Sequence, residues 1–220
     1  MYINNGTKPE LTIIITTCYR FDALIRCLDS IKEHAPECSI LVMIDDNDID
    51  TYNNLMINKY NGEAILSPIR RECCALTNLG VGHCKNEYFV YLNDDMVLVQ
   101  KDCFKEALEI FKLKFPDKKG FITFDDGING GSITTQGLTS KTFVLECLEE
   151  NSLCNPTYKH YYWDKDQAIR IMNMGKYLYC KHIKIRHDHF AVTKKIDKIY
   201  QRSNDDCLKD DEETFKRRNP

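Results

Sequence analysis

The sequence is short of the features that would assign it at a glance. None of its apolar runs nears the roughly 20 residues that a membrane span requires; the longest, such as Leu11–Ile15 and Ile40–Ile44, are five residues each. The opening Met1-Tyr2-Ile3-Asn4-Asn5 has neither the basic region nor the apolar core of a signal peptide, so a cytoplasmic protein is expected. There is no basic excess. The 30 Lys+Arg against 33 Asp+Glu leave a net charge of −3, which argues against a generally basic nucleic-acid binder but not against a local basic patch. No two cysteines have Cys-x-x-Cys spacing, so a thiolate zinc ribbon is not expected. Internal repeats, low-complexity linkers and domain boundaries are lacking too. What is there is 220 residues, 43% of them hydrophobic, enough for one domain around one sizeable core.

Cysteine is the exception to this sparseness, with eleven in the chain. An odd number, scattered through apolar positions such as Cys27 beside Leu28 and Cys103 beside Phe104, reads as free buried thiols in a reducing compartment.

Leu11–Thr17, Ser39–Ile44, a short Glu63–Leu66 and Glu87–Leu92 are apolar, β-branched runs of strand length. Helical spacing fills the gaps: Leu24, Ile25, Leu28 and Ile31 share one face, and further helices are expected over about Thr51–Tyr60, Glu72–Cys84 and Lys101–Phe115. Strand and helix in this alternation predict right-handed crossovers and a mostly parallel α/β sheet. After Gly120 the pattern changes. Phe121–Asp125 is one more strand, and the Gly127–Gly137 stretch is loop or antiparallel hairpin. Asn151–Tyr162 reads as loop, Asp164–Met174 as a helix stopped by Gly175, and Tyr177–Ile185 as a strand. From Lys194 onward a charged, peripheral helix is expected. The single domain thus divides into a first half (about 10–115), a second half (about 116–193) and a peripheral charged segment (194–220).

In a parallel sheet, ligands bind beyond the carboxyl ends of the strands. Here those ends carry Thr16-Thr17, Asp45-Asp46 and Asn93-Asp94-Asp95, so polar groups from three distant stretches meet on one edge. Clustered carboxylates repel unless a cation or donor groups compensate. A hard divalent ion, Mg²⁺ or Mn²⁺, is the natural partner. The same residues also suit strand-to-helix turns and helix caps, and that plainer role stays open for Asp45–Asp48 above all.

Taken together, these motifs resemble the family 2 glycosyltransferases of the GT-A fold over most of the chain. Thr17-Cys-Tyr19-Arg20 with Arg26-Cys-Leu-Asp-Ser-Ile31 is similar to the family's opening strand, turn and helix. Ile44-Asp45-Asp46 resembles its acidic second strand end, and Asn78-Leu-Gly80 followed by Leu92-Asn93-Asp94-Asp95 its helix, strand and metal motif. Asp164-Lys-Asp166 with Gly175-Lys-Tyr177 is similar to the segment carrying the base, and His187 falls where the family often places a metal-binding His. The resemblance implies a metal-dependent, inverting transfer from a nucleotide-diphosphate sugar, a UDP-sugar first, to a hydroxyl acceptor such as a glycan or glycoconjugate. It implies Asp164 or Asp166 as general base and Asp95, His187 and His189 as metal candidates. Thr16, Thr17, Tyr19, Arg20, Asp45, Asp46, Arg71, Asn78, Asn93 and Asp94 would line the donor site, so the resemblance implies a nucleotide-binding half over about 10–115 and an acceptor and catalytic half over about 116–193. Three departures stand out. Trp163 stands where an acidic residue commonly precedes the base, which leaves both Asp164 and Asp166 open for that role. Thr77 replaces the Arg that often precedes Asn-Leu-Gly, leaving Arg70 or Arg71 to face the phosphates, and the metal motif begins with Asn93, which shifts the weight to Asp95.

Three alternatives remain. Transfer onto a hydroxylated DNA base would use a basic channel from Lys181, Lys184, Arg186, Lys194 and Lys195. A sugar-nucleotide binder without transfer activity would not need a base. A nucleotidyltransferase would carry a Gly-rich loop after the first strand, and Thr16-Thr-Cys-Tyr-Arg20 has none. Among the named residues, Asp164 also suits a helix cap. The run Tyr161-Tyr162-Trp163 offers flat faces to sugars or bases.

Overall fold

A computed structural model describes residues 8–194 and 198–220. The first half alternates as expected: β1 (Leu11–Thr17), α1 (Phe21–His34), β2 (Ser39–Ile44), α2 (Ile49–Ile57), β3 (Glu63–Leu66), α3 (Glu72–His83) and β4 (Tyr88–Asn93). The second half holds β5 (Met96–Leu98), α4 (Cys103–Lys114), β6 (Phe121–Asp125), β7 (Gly137–Ser140), α5 (Lys141–Cys147), α6 (Trp163–Asn173), β8 (Tyr177–His187), α7 (Phe190–Thr193) and α8 (Lys198–Arg218). The strands form one sheet in the order β3-β2-β1-β4-β7-β6-β8-β5. β3, β2, β1 and β4 are mutually parallel, β7 runs antiparallel to β4 and β6, β8 is parallel to β6, and β5 closes antiparallel on β8. This is an α/β architecture around one mixed sheet, parallel in its first half and mixed in its second.

Period-two alternation divides the core into two layers. Ile13, Ile15, Val42, Val90 and Leu92 face α1 and α4, whereas Ile14, Leu41, Met43, Phe89 and Tyr91 face α3, α5 and α6. Gly80 shows how close α3 lies: a Cβ there would sit 2.7 Å from Ile14 Cγ2 and 3.0 Å from Met43 Cγ, so any side chain would push the helix off the sheet. All eleven cysteines are free, and seven of them are buried as small apolar residues. No helix among the described residues is long and apolar enough to cross a membrane.

The segment after Lys194 departs from expectation. Instead of lying at the periphery, α8 buries Ser203, Cys207, Asp211 and Thr214 against the domain, and its first turns wall the cleft at the sheet's carboxyl edge. Lys195, named for a basic channel, lies outside the described residues, as do Met1–Asn5. Lys181, Lys184 and Arg186 stand exposed on β8, and Arg186 is already paired with Asp188 at 2.9 Å.

Candidate active site

Strand register explains why distant residues meet. Thr17 pairs with Ile44 and Thr16 with Asn93, so β1, β2 and β4 end level and release Cys18, Asp45 and Asp94 side by side. Asp94 is fully engaged: Thr17 Oγ1 donates to its Oδ2 and Arg20 Nη1 to its Oδ1, each at 2.7 Å. Arg20 Nη2 reaches Asp95 Oδ2 at 3.3 Å, so the guanidinium bridges both carboxylates instead of facing an open phosphate site. Asp45 accepts the backbone N–H groups of Arg71 and Glu72 at 2.8 and 3.0 Å and ties the end of β2 to the start of α3. Burial raises its pKa against those amides.

Asp95 and His187 form the centre of the cleft. His187, the last residue of β8, places Nε2 3.4 Å from Asp95 Oδ1 and Nδ1 3.6 Å from Asp126 Oδ2. Burial works to lower the pKa of His187, but the carboxylates of Asp126 and Asp95 outweigh it and push the pKa up to about 9. Conversely, burial would raise Asp95, yet His187 and Arg20 hold it at about 2. Neighbouring His189, whose ring lies 5.0 Å from that of His187, is lowered by burial and then by the charge on His187. Among the described residues no three His, Cys, Asp or Glu side chains converge to hold a metal by themselves. Asp95 Oδ1, however, is buried without a hydrogen-bond partner and faces an imidazole nitrogen. A carboxylate and an imidazole fit Mn²⁺ or Mg²⁺ as two donors, with the remaining positions left to water and phosphate oxygens.

Charge in the cleft favours a cation. Asp45, Glu72, Asp94, Asp95 and Asp164 line it, against Arg20, Arg202 and the His187 imidazolium.

The opposite wall comes from the second half of the chain. The helix α6 begins at Trp163, whose ring packs on Tyr91 at 5.6 Å between centroids. Asp164 is thus the second helical residue and not the cap, a position taken by Tyr162 in the left-handed region at φ 62°. The Asp164 carbonyl is gripped by Thr134 through its backbone N–H and hydroxyl, at 3.3 and 2.9 Å. Its side chain lines the cleft, and burial raises its pKa. The preceding loop is fixed by Asp211 of α8, whose carboxylate accepts the backbone N–H groups of Lys159, His160 and Tyr161 at 3.0, 2.8 and 2.7 Å.

Several expected site residues stand elsewhere. Asp166 points away from the cleft, bound to Arg170 Nε at 2.9 Å, Arg218 Nε at 3.2 Å and Asn219 Nδ2 at 2.8 Å. Residues two apart on a helix diverge by about 200°, so only one of the two carboxylates can face a given cleft. Asn78 is spent on the backbone of Cys154, as donor at 2.7 Å and acceptor at 2.9 Å. Arg71 directs Nε to Ser67 Oγ at 3.0 Å, and Arg70 is paired with Glu72 and Asp206, so neither faces the cleft. Tyr19 is half exposed and donates its hydroxyl to the Asp46 carbonyl at 2.9 Å. Asp46 sits beside the cleft, bound to Arg202 Nη1 at 2.8 Å. Thr16, Thr17, Arg20, Asp45, Asn93, Asp94, Asp95, Asp164, His187 and His189 do line one cavity.

The sequence reading missed Asp126, His160, Tyr200 and Arg202. Asp126 follows β6 as the other acidic residues follow β2 and β4, so the strand-end rule could have found it. Nothing local marked Tyr200 or Arg202.

Comparison with known proteins agrees with this geometry. Residues 12–117 match Glycosyl transferase family 2. None of the curated proteins matches by sequence. Among solved structures, TarS from S. aureus superposes with a TM-score of 0.60 at 10% identity, over 80% of this chain and 36% of that one. TarS 1–349 in complex with UDP-GlcNAc gives 0.62 at 10%, over 85% of this chain and 62% of the other. The mannosyltransferase PcManGT from Pyrobaculum calidifontis, in complex with GDP-Man and Mn²⁺, gives 0.63 at 15%, over 83% and 57%. The chain therefore spans between about a third and two thirds of these structures, and at such identities the likeness concerns the fold. Residues 12–117 are thus similar to family 2 glycosyltransferases, and the chain shares the GT-A fold of these glycosyltransferase structures.

Proposed function

We propose that the cleft moves a sugar from a nucleoside-diphosphate sugar, a UDP-sugar first, to a hydroxyl of a glycan, glycoconjugate or similar acceptor, with inversion and with dependence on Mn²⁺ or Mg²⁺. The observation that carries this reading is that Asp164 opens onto the same cleft as the Asp95–His187 pair. Asp95 and His187 would hold the ion, which when bound supplies Lewis-acid neutralisation of the departing diphosphate. Asp164, its pKa raised by burial, accepts the proton of the incoming hydroxyl as that oxygen attacks the anomeric carbon. A single displacement of this kind inverts the configuration. Trp163, beside Asp164, offers an apolar face to a sugar ring. On the donor side, Arg202 brings the cation that Arg70 and Arg71 do not, its Nη2 lying 3.6 Å from Cys18 Sγ. The complexes of TarS with UDP-GlcNAc and of PcManGT with GDP-Man and Mn²⁺ support a nucleotide-sugar donor.

The test is a hydrolysis screen of nucleotide sugars with Mn²⁺ and with EDTA, since slow hydrolysis needs no acceptor. One donor hydrolysed only with the metal is expected. If no donor is hydrolysed and calorimetry shows no binding of UDP or GDP, the reading is wrong.

A further inference from the structure

We propose that Asp126 is a positioning residue for the metal pair: it holds the His187 ring with Nδ1 protonated, so that Nε2 is the free donor on the Asp95 side. The proposal rests on the metal reading of Asp95 and His187 given above.

Asp126 is the first residue beyond β6, 4% exposed, and its two oxygens do different things. Oδ1 serves the turn, accepting the backbone N–H groups of Ile128 and Asn129 at 2.9 and 2.8 Å. Oδ2 receives Asn129 Nδ2 at 2.7 Å and Thr135 Oγ1 at 3.3 Å, and also faces His187 Nδ1 at 3.6 Å. Because Oδ1 is fixed by backbone, the carboxylate cannot follow the ring, and the ring must orient to it. The imidazole is 6% exposed and lies between two carboxylates, one at each nitrogen. Only one of these carboxylates, Asp95, keeps a buried oxygen without a hydrogen bond. The two sides of the ring are unequal in another way: His187 Nδ1 is buried without a hydrogen-bond partner and faces the anchored Asp126 carboxylate at 3.6 Å, whereas Asp95 Oδ1, on the Nε2 side, accepts no hydrogen bond. A carboxylate behind a histidine fixes the tautomer, orients the ring and raises the basicity of the ligating nitrogen.

The substitution Asp126→Asn is the sharp test. An Asn can keep the two backbone bonds of the turn with its carbonyl, but its NH₂ replaces the oxygen that accepts from Asn129 and Thr135 and presents a donor toward Nδ1, which favours the tautomer carrying hydrogen on Nε2 and blocks that nitrogen as a ligand. Electron paramagnetic resonance of free Mn²⁺, titrated into protein saturated with UDP, measures the affinity. UDP binding in EDTA and thermal unfolding report on the rest of the fold. Asp126→Asn should weaken Mn²⁺ binding by about 10–100-fold, with metal-free UDP binding unchanged. In a His187→Ala background the same change should cost nothing further, since the residue acts through the ring. Equal Mn²⁺ affinity in Asp126→Asn, or an undiminished loss in the His187→Ala background, overturns the proposal. A parent protein that binds UDP but no Mn²⁺ instead overturns the metal reading beneath it. Should Asp126→Asn not fold, imidazole ¹⁵N spectra of the parent with UDP and Mg²⁺ decide: Nδ1–H supports the proposal and Nε2–H overturns it.

Discussion

Exchanging each carboxylate of Asp164-Lys-Asp166 for its amide should separate catalysis from stability. Asp166 is 1% exposed and receives four charge-assisted or amide bonds, from Arg170 Nε and Nη2, Arg218 Nε and Asn219 Nδ2, at 2.8–3.2 Å. Asp166→Asn removes the charge and turns an N–H toward guanidinium groups. Breaking a fully buried pair costs about 3–5 kcal/mol. Because Arg170 and Arg218 remain 31% and 18% exposed, about 2–3 kcal/mol is the better expectation. For a chain of this length that lowers Tm by roughly 4–12 °C, while the cleft keeps its lining and kcat stays within about threefold. Asp164 has the opposite profile. Its carboxylate accepts the backbone N–H of the neighbouring Lys165 at 2.8 Å, a bond that an amide oxygen can still accept. Asp164→Asn should leave Tm within about 2 °C, a change below 1 kcal/mol, and reduce kcat by about 10²–10⁴, or roughly 3–5 kcal/mol in the barrier. Donor KM should hardly move, because proton removal from the acceptor belongs to the transition state. The assay is transfer to the acceptor alongside differential scanning fluorimetry of both variants. An inactive, stable Asp166→Asn beside an active Asp164→Asn would refute the placement of the base.

Asp95→Ala should abolish the Mn²⁺ dependence of UDP binding while leaving metal-free UDP affinity within a few fold, as calorimetry with and without EDTA would show. Arg202→Ala should weaken UDP binding by about tenfold, about 1.4 kcal/mol, with little change in Tm; unchanged affinity would remove Arg202 from the donor side. The metal-free protein should lose stability above neutral pH. His187 rises from 6.5 to about 9 on folding, so the stability its charge confers is complete below about pH 6.5 and gone above about pH 9. The slope between these limits is at most about 1.4 kcal/mol per pH unit for one proton. Urea midpoints across pH 6–10 would show it, and His187→Gln should flatten the curve.

The sheet was legible because its strands announce themselves twice, by β-branched runs and by acidic ends. Leu11–Thr17 and Tyr88–Asn93 fall within a residue of their expected bounds, and their register alone delivers Thr17 and Asp94 to hydrogen-bonding distance. Helix α8 was misread for an equally physical reason. Hydrophobic periodicity detects a helix by its apolar stripe, but the buried face of α8 is Ser203, Cys207, Asp211 and Thr214, of which Ser203 bonds Glu72 at the start of α3 and Asp211 the backbone before α6. Such a face looks like a solvated one until its partners are known. β8 carries a second trap. Its pairing with β6 jumps from Phe124–Cys180 to Asp125–Lys184, so simple alternation cannot be run through from Cys180 to His187; both end up buried. With Asp164 and Asp166, helical geometry told that they diverge but not which of them meets the cleft. That was decided by Arg218 and Asn219, at the far end of the chain.

The acidic pair at the end of β4 also shows how neighbouring carboxylates acquire different roles. Both oxygens of Asp94 are bound, by Thr17 and Arg20 at 2.7 Å, and exchanging either partner would leave a buried carboxylate oxygen short of its donor. Asp95 has the longer contact to the same arginine, 3.3 Å, and one oxygen with no hydrogen bond. Arg20 can therefore stay on Asp94 while Asp95 changes partner. Substituting Asn for an acid at position 93 loses little on this arrangement. The place an additional carboxylate would occupy at the strand end is already supplied with negative charge by Asp45, Glu72 and Asp164 around the same cleft. A sixth carboxylate would add repulsion without adding an oxygen beside His187.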